Sequence, residues 1–228
     1  MNETLVSLTA ASIAFVGLHF ALSHPLRRPL VGALGERGFM AVYSLFALGT
    51  FIWMTRAFKA APYEPRLWNG FADGPWIVAS VLTVVALALF LGSFVRNPAL
   101  PGQEGADLAT RTPTGAFRVT RHPMMWGFGL WALAHIIATP TARTLILAGA
   151  ILILALLGSH LQDRKKEAQL GESWRAWEAK TSYWPRLSQL GALGWLWIAA
   201  LVLWLAITWA HAPVGYVPAG IWKWVAVS

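Results

Sequence analysis

Six blocks of apolar residues separated by polar connections organise this chain, at roughly 4–24, 38–58, 75–97, 123–139, 142–162 and 190–211. Apolar residues fill each block instead of recurring every third or fourth position, which predicts helices that are apolar all round and surrounded by lipid or by one another. At ~1.5 Å per residue these blocks cross, or nearly cross, a hydrocarbon core ~30 Å thick, the fourth being the shortest. The expected fold is therefore all-α: a polytopic membrane helical bundle of about six transmembrane helices, in a single transmembrane domain over residues 1–228.

The connections carry their own signals. Pro25, following Ser23 and His24, stops the first helix. Loop two, Lys59 to Gly74, contains Pro62, Pro65 and Trp68 and reads as an interfacial turn with aromatic anchors. Loop three, Asn97 to His122, is the longest polar connection. Pro98, Pro101, Gly102 and Gly105 break its first half, and a loop of this length is commonly a lid or binding segment. Pro123 suits the first position of helix four. In loop five Leu170, Trp174 and Trp177 share one face, away from Glu172, Arg175 and Glu178, which predicts a short cytoplasmic amphipathic helix lying at the membrane interface.

Composition adds direction to this picture. The chain is 57% hydrophobic and 12% charged, with net charge +8. Odd-numbered loops hold thirteen Lys and Arg residues and the even loops and C-terminus five, which places the odd loops in the cytoplasm and both termini outside it. That asymmetry accounts for the net charge, so anionic lipid head groups are the expected partner and nucleic acid is not. Asn2 and Glu3 precede the first block with no basic segment, so that block is expected to be a retained helix and not a signal peptide. Cysteine is absent, so disulfides, iron–sulfur clusters and thiolate chemistry are excluded, and any metal must be held by His, Asp, Glu or Met.

Ionisable groups are costly at membrane depth and are functional suspects there. The stretch from Arg121-His122-Pro123 to His135 carries three of them where a polar loop enters an apolar helix. His19 and His135 both lie within apolar blocks. Either each imidazole is satisfied by a hydrogen bond, or the two grip a haem iron from both faces. His19 lies near the inner end of helix one and His135 near the outer end of helix four, so their depths differ by over ~10 Å. A hairpin of helices four and five that crosses only partly would ease the mismatch. His24, Arg121, His122, Asp163 and Glu167 are expected to border one cavity on the cytoplasmic side, with Arg121 free to bind a carboxylate or phosphate through its guanidinium fork. The alternative is an ordinary interface arginine. His160 is expected to pair with Asp163, and His211 to be structural.

Several of these stretches carry a resemblance. Gly17-Leu18-His19-Phe20-Ala21-Leu22-Ser23-His24-Pro25, Gly35-Glu36-Arg37-Gly38-Phe39, Tyr43-Ser44, Thr120-Arg121-His122-Pro123-Met124, Leu130 to His135 and Thr181-Ser182 resemble the NnrU family over a core of about residues 10–186, leaving 187–228 as a C-terminal anchoring helix and tail. That family is named for a bacterial membrane protein associated with nitric oxide and nitrite metabolism, which implies an inner-membrane location and an accessory role in denitrification. It is similar in turn to zeta-carotene isomerase of carotenoid biosynthesis, a membrane enzyme using b-type haem. The resemblance implies haem b, with His19 and His135 at the metal and Arg121, His122 and His24 at the cofactor. Phe20-Ala21 replace that enzyme's Ser-Gly, and Ala132 its cysteine, so sulfur ligation does not carry over. Residues 118–186 more faintly resemble membrane methyltransferases of the isoprenylcysteine type, which bind S-adenosylmethionine.

The leading expectation is thus a haem-b membrane protein acting as a redox-dependent cis-trans isomerase on a polyene lipid or hydrophobic small molecule, or as an accessory in nitric oxide metabolism. The alternatives are an S-adenosylmethionine-dependent methyltransferase-like protein and a non-catalytic assembly factor.

Overall fold

Each apolar block becomes a helix because backbone groups in lipid have no partner outside their own segment. The computed structural model describes residues 3–95, 97, 108–215 and 218–225, and the regular structure among them is helical. The elements are α1 (Glu3–Ser23), α2 (Arg27–Ala60), α3 (Asp73–Gly92), α4 (Ala116–Val119), α5 (Pro123–Ala138), α6 (Ala142–Leu170), α7 (Glu172–Lys180), a 3-10 helix (Leu187–Leu193), α8 (Leu196–Gly215) and α9 (Trp222–Val225). The breaks expected at Pro98, Pro101, Gly102 and Gly105 lie outside the described residues.

Helices α1, α2, α3 and α6 are long and apolar enough to cross a membrane. The 3-10 helix and α8, bent by 88° at Gly194, form a fifth candidate if taken as one span. With 16 residues, α5 is about 24 Å long, short of a ~30 Å core. These helices fit a multi-pass membrane protein.

The bundle is layered in an order unlike the chain's. Helix α1 packs between α2 and α6, α5 between α6 and α3, and α3 between α5 and α8. Leu8, Ala11, Met54, Ala57 and Ala61 form one buried cluster against Ile146 and Leu147. Ala88, Leu89, Ala116, Val119, Leu193, Leu196 and Ala200 form another, which ties α4 and the 3-10 helix to α3 and α8.

Three boundaries differ from the sequence expectation, each for a local reason. Helix α2 begins at Arg27, well before its apolar block, and bends at Gly35 (φ 70°), a conformation only glycine adopts without cost. Arg27 and Glu36 bridge the bend at 3.1 Å. Helix α6 runs past its apolar block to Leu170 because no breaker intervenes before Gly171 (φ 54°), and this carries Asp163 on a rigid helix. The amphipathic helix of loop five is present as α7, but its apolar face does not meet lipid. Trp174 and Trp177 are fully buried against Leu108 and Phe117, so loop three of the same chain covers it.

The helix ends form two surfaces. At one, loops one, three and five meet, as when Lys180 Nζ donates to the Ala109 carbonyl. At the other, residues 61–72 lie on the turn between α5 and α6, Leu67 N–H donating to Pro140 O at 2.9 Å, and Trp76 Nε1 donates to Gly220 O at 2.8 Å. The first surface carries most of the basic residues and is called the basic end below.

Candidate functional site

At the basic end a short extended segment is clamped before α5 begins. Arg121 N–H donates to Ser182 O and Arg186 N–H to Val119 O, both at 2.8 Å. Thr120 is fully buried, and its hydroxyl donates to Tyr183 O at 2.8 Å. Trp126 Nε1 donates to the same carbonyl at 2.8 Å. Loops three and five are thus stitched together, and Pro123 then starts α5, since its missing N–H costs nothing at a helix start.

This clamp delivers Arg121 and His122 to Asp163. Arg121 Nε lies 2.9 Å from Asp163 Oδ2, and Nη2 lies 2.6 Å from the same oxygen. Glu178 Oε1 lies 3.2 Å from Nη2. His122 Nε2 is 2.8 Å from Asp163 Oδ1; an ionised carboxylate only accepts, so Nε2 carries the proton and donates it. The side chains of Arg121, His122 and Asp163 are 13%, 3% and 7% exposed. Tyr183 closes the group, with Arg121 5.7 Å and His122 5.6 Å from its ring centroid. Burial, reinforced by the Asp163 charge, pushes the Tyr183 hydroxyl above the usual phenol range, and it donates to Leu156 O at 2.7 Å.

The Arg121 fork meets Asp163 and Glu178 through Nε and Nη2, and its side chain also lines a cleft. His122, by contrast, has its Nδ1 without a hydrogen-bond partner among the described residues, and its ring lines the same cleft, of about 100 Å³, with Asn97, Arg121, Pro123, Met124, Met125 and Gln162. An imidazole oriented by a carboxylate and free at its other nitrogen can take or give a proton.

The other candidates are dispersed. Glu167 lies at the same end but pairs with Arg175 at 3.4 Å. His24 is half-buried nearby and does not line the cleft; burial, aided by the Lys165 charge, holds its imidazole below the usual histidine value. His160 is exposed and has no part in the Asp163 network, so the expected pairing of those two is not formed. His211 is exposed, its Nδ1 2.8 Å from Ile207 O.

His19 and His135 are each satisfied by their own helix, Nδ1 donating to Phe15 O at 2.6 Å and to Trp131 O at 2.8 Å. They are not brought together. Position 158 of α6 faces both Phe20 and Met125, which sets His19 level with the start of α5. Ten residues separate Met125 from His135, so His135 lies ~15 Å further along the bundle. Helix α6 packs against both α1 and α5. Imidazole nitrogens on one iron sit ~4 Å apart at ~2 Å per bond, so this pair does not fit a single haem. Among the described residues no group of three or more His, Asp or Glu is arranged to hold a metal ion.

Sequence reasoning missed Glu178 and Tyr183. Glu178 was assigned to the outer face of the loop-five helix; its signal was the need of a buried arginine for carboxylates. Tyr183 adjoins the Thr181-Ser182 motif, with nothing local to mark it. A protein-family model described as NnrU protein matches residues 7–219. No curated protein and no solved structure matches the chain.

Proposed function

This chain belongs to the NnrU family, and we propose that it is a membrane protein that binds the polar end of a lipid-soluble molecule in the cleft beside His122 and moves a proton there. The observation that carries this reading is the His122–Asp163 bond, which fixes the imidazole with Nδ1 free at the cleft. Arg121 neutralises Asp163 and keeps it ionised, while Pro123, Met124 and Met125 supply apolar wall beside the polar Gln162 and Asn97. The inner membrane, with the basic end in the cytoplasm and both termini outside, is the setting consistent with the distribution of Lys and Arg.

His122→Gln tests the proton-transfer role, because the glutamine amide can still donate to Asp163 but does not titrate. Lipid extracts of membranes containing wild type and variant are expected to differ in one amphiphile, enriched in the variant at the expense of its product. Identical extracts from a variant whose Tm matches wild type would overturn the role.

A second reading keeps haem b but changes its geometry. With Nδ1 on a carbonyl, His19 and His135 each leave Nε2 as the nitrogen suited to iron, and bound haem would supply redox chemistry through one imidazole bond. Reconstituted with haem b, the protein is expected to give a Soret band lost in one of His19→Ala and His135→Ala and kept in the other. Loss in both restores a shared iron, and no band in wild type removes the reading.

A further inference from the structure

We propose that Arg66, Arg143 and the first turn of α6 form a binding site for a phosphate group, at the end of the bundle opposite His122. Arg143 lies in the first turn of α6, where the helix N-terminus concentrates positive charge, although Thr144 N–H is already capped by the Thr141 hydroxyl. A cation there is unfavourable unless an anion accompanies it, yet that turn holds no acidic residue. Arg66 arrives from the connection between α2 and α3. The two guanidinium carbons lie 4.7 Å (Arg143) and 5.9 Å (Arg66) from the centroid of one ring, that of Tyr63. Neither arginine has a carboxylate within ion-pair distance among the described residues.

Their donors are only partly used. Arg143 stacks 4.9 Å from the Phe58 centroid, and its Nη1 donates to Ala61 O at 3.2 Å. Arg66 Nη2 donates to the Tyr63 hydroxyl at 2.8 Å. In both, Nε is buried without a hydrogen-bond partner. Aromatic faces attract a cation but do not neutralise it. Two fixed guanidiniums beside a helix N-terminus match the charge and the oxygen array of phosphate. The backbone holds both in place, since Leu67 N–H donates to Pro140 O at 2.9 Å and so pins the residue after Arg66 to the turn before α6. The phosphate can come from a phospholipid head group at this membrane surface or from a free anion, and the two are separable by experiment.

The test is the Tm of the purified full chain in neutral detergent, titrated with phosphatidylglycerol or with inorganic phosphate, against chloride of equal ionic strength and against diacylglycerol, which lacks phosphate. Binding to the folded state raises Tm with ligand concentration. The concentration giving half the rise is expected to increase about tenfold in Arg66→Gln and Arg143→Gln. It should be unchanged in Arg118→Gln, which removes an equal charge at the basic end. Arg143→Lys keeps the charge, loses the fork and should fall between. A response to inorganic phosphate assigns a free anion as sufficient, and a response to phosphatidylglycerol alone assigns the lipid head group. If a glutamine variant does not fold, wild type and Arg143→Lys still decide. A wild-type Tm indifferent to both ligands, or a lysine variant binding as tightly as wild type with no effect of either glutamine change, overturns the site.

Discussion

Asp163→Ala is expected to destabilise the protein by about 3–5 kcal/mol, the usual consequence of removing one partner from a buried ion network. The methyl side chain leaves the Arg121 guanidinium with Glu178 alone and strips His122 of its acceptor, in surroundings where the three side chains are at most 13% exposed. The comparison within this chain is Glu36→Ala, which breaks a pair whose side chains are 30% and 61% exposed, and is expected to cost no more than about 1 kcal/mol. Equilibrium unfolding in mixed micelles measures both. Asp163→Leu combined with Arg121→Met removes both charges and should recover much of the loss, because it is the stranded charge and not the missing bond that costs most. A cost below about 1 kcal/mol for Asp163→Ala would mean that water reaches the cluster freely, and the orientation argued for His122 would lose its basis.

Gly70→Ala is expected to cost about as much, for a steric reason. A Cβ at residue 70 would sit 2.3 Å from Ala138 O and 2.5 Å from Ile137 O. Both are backbone atoms at the end of α5 and have no freedom to withdraw. The connection over residues 61–72 must lift, breaking Trp68 Nε1 to Ile137 O at 3.0 Å and Leu67 N to Pro140 O at 2.9 Å. Overpacking of about 1–3 kcal/mol and two lost hydrogen bonds of about 0.5–1.5 kcal/mol each give an expected loss of roughly 2–6 kcal/mol. Gly49→Ala is the control: nothing lies within 4 Å of its added Cβ, so in mid-α2 alanine should stabilise by up to about 1 kcal/mol. Gly70→Ala should also loosen Arg66 and weaken any phosphate response, while leaving the Asp163 network at the other end intact.

Much of the architecture was legible as pattern. The ends of α1 at Ser23 and α5 at Pro123 follow from prolines, and the apolar blocks locate the long helices. What pattern missed was context. Trp174 and Trp177 marked an amphipathic helix correctly, whereas Leu170, expected on the same helix, ends α6 before the break at Gly171; nor does sequence say whether the apolar face meets lipid or Leu108 and Phe117. His19 and His135 looked alike because each is a lone imidazole in an apolar block; only the register of α1 and α5 against α6 shows that they lie ~15 Å apart in level.

By itself the sequence determined that this chain is helical, carries several helices long and apolar enough to cross a membrane and concentrates its basic residues in alternate loops. Lipid offers no hydrogen bonds, so each apolar block must satisfy its own backbone, and that requirement is local. Which charges meet was decided by the tertiary structure alone. Asp163 lies 42 residues beyond Arg121 in the chain, and Arg143 lies far beyond Arg66, and no spacing rule links either pair. They are joined because α6 packs against α5 and α1, so that its two ends receive side chains from loops three and two. Desolvation makes such meetings energetically consequential, and desolvation belongs to the packed bundle and not to any segment of it.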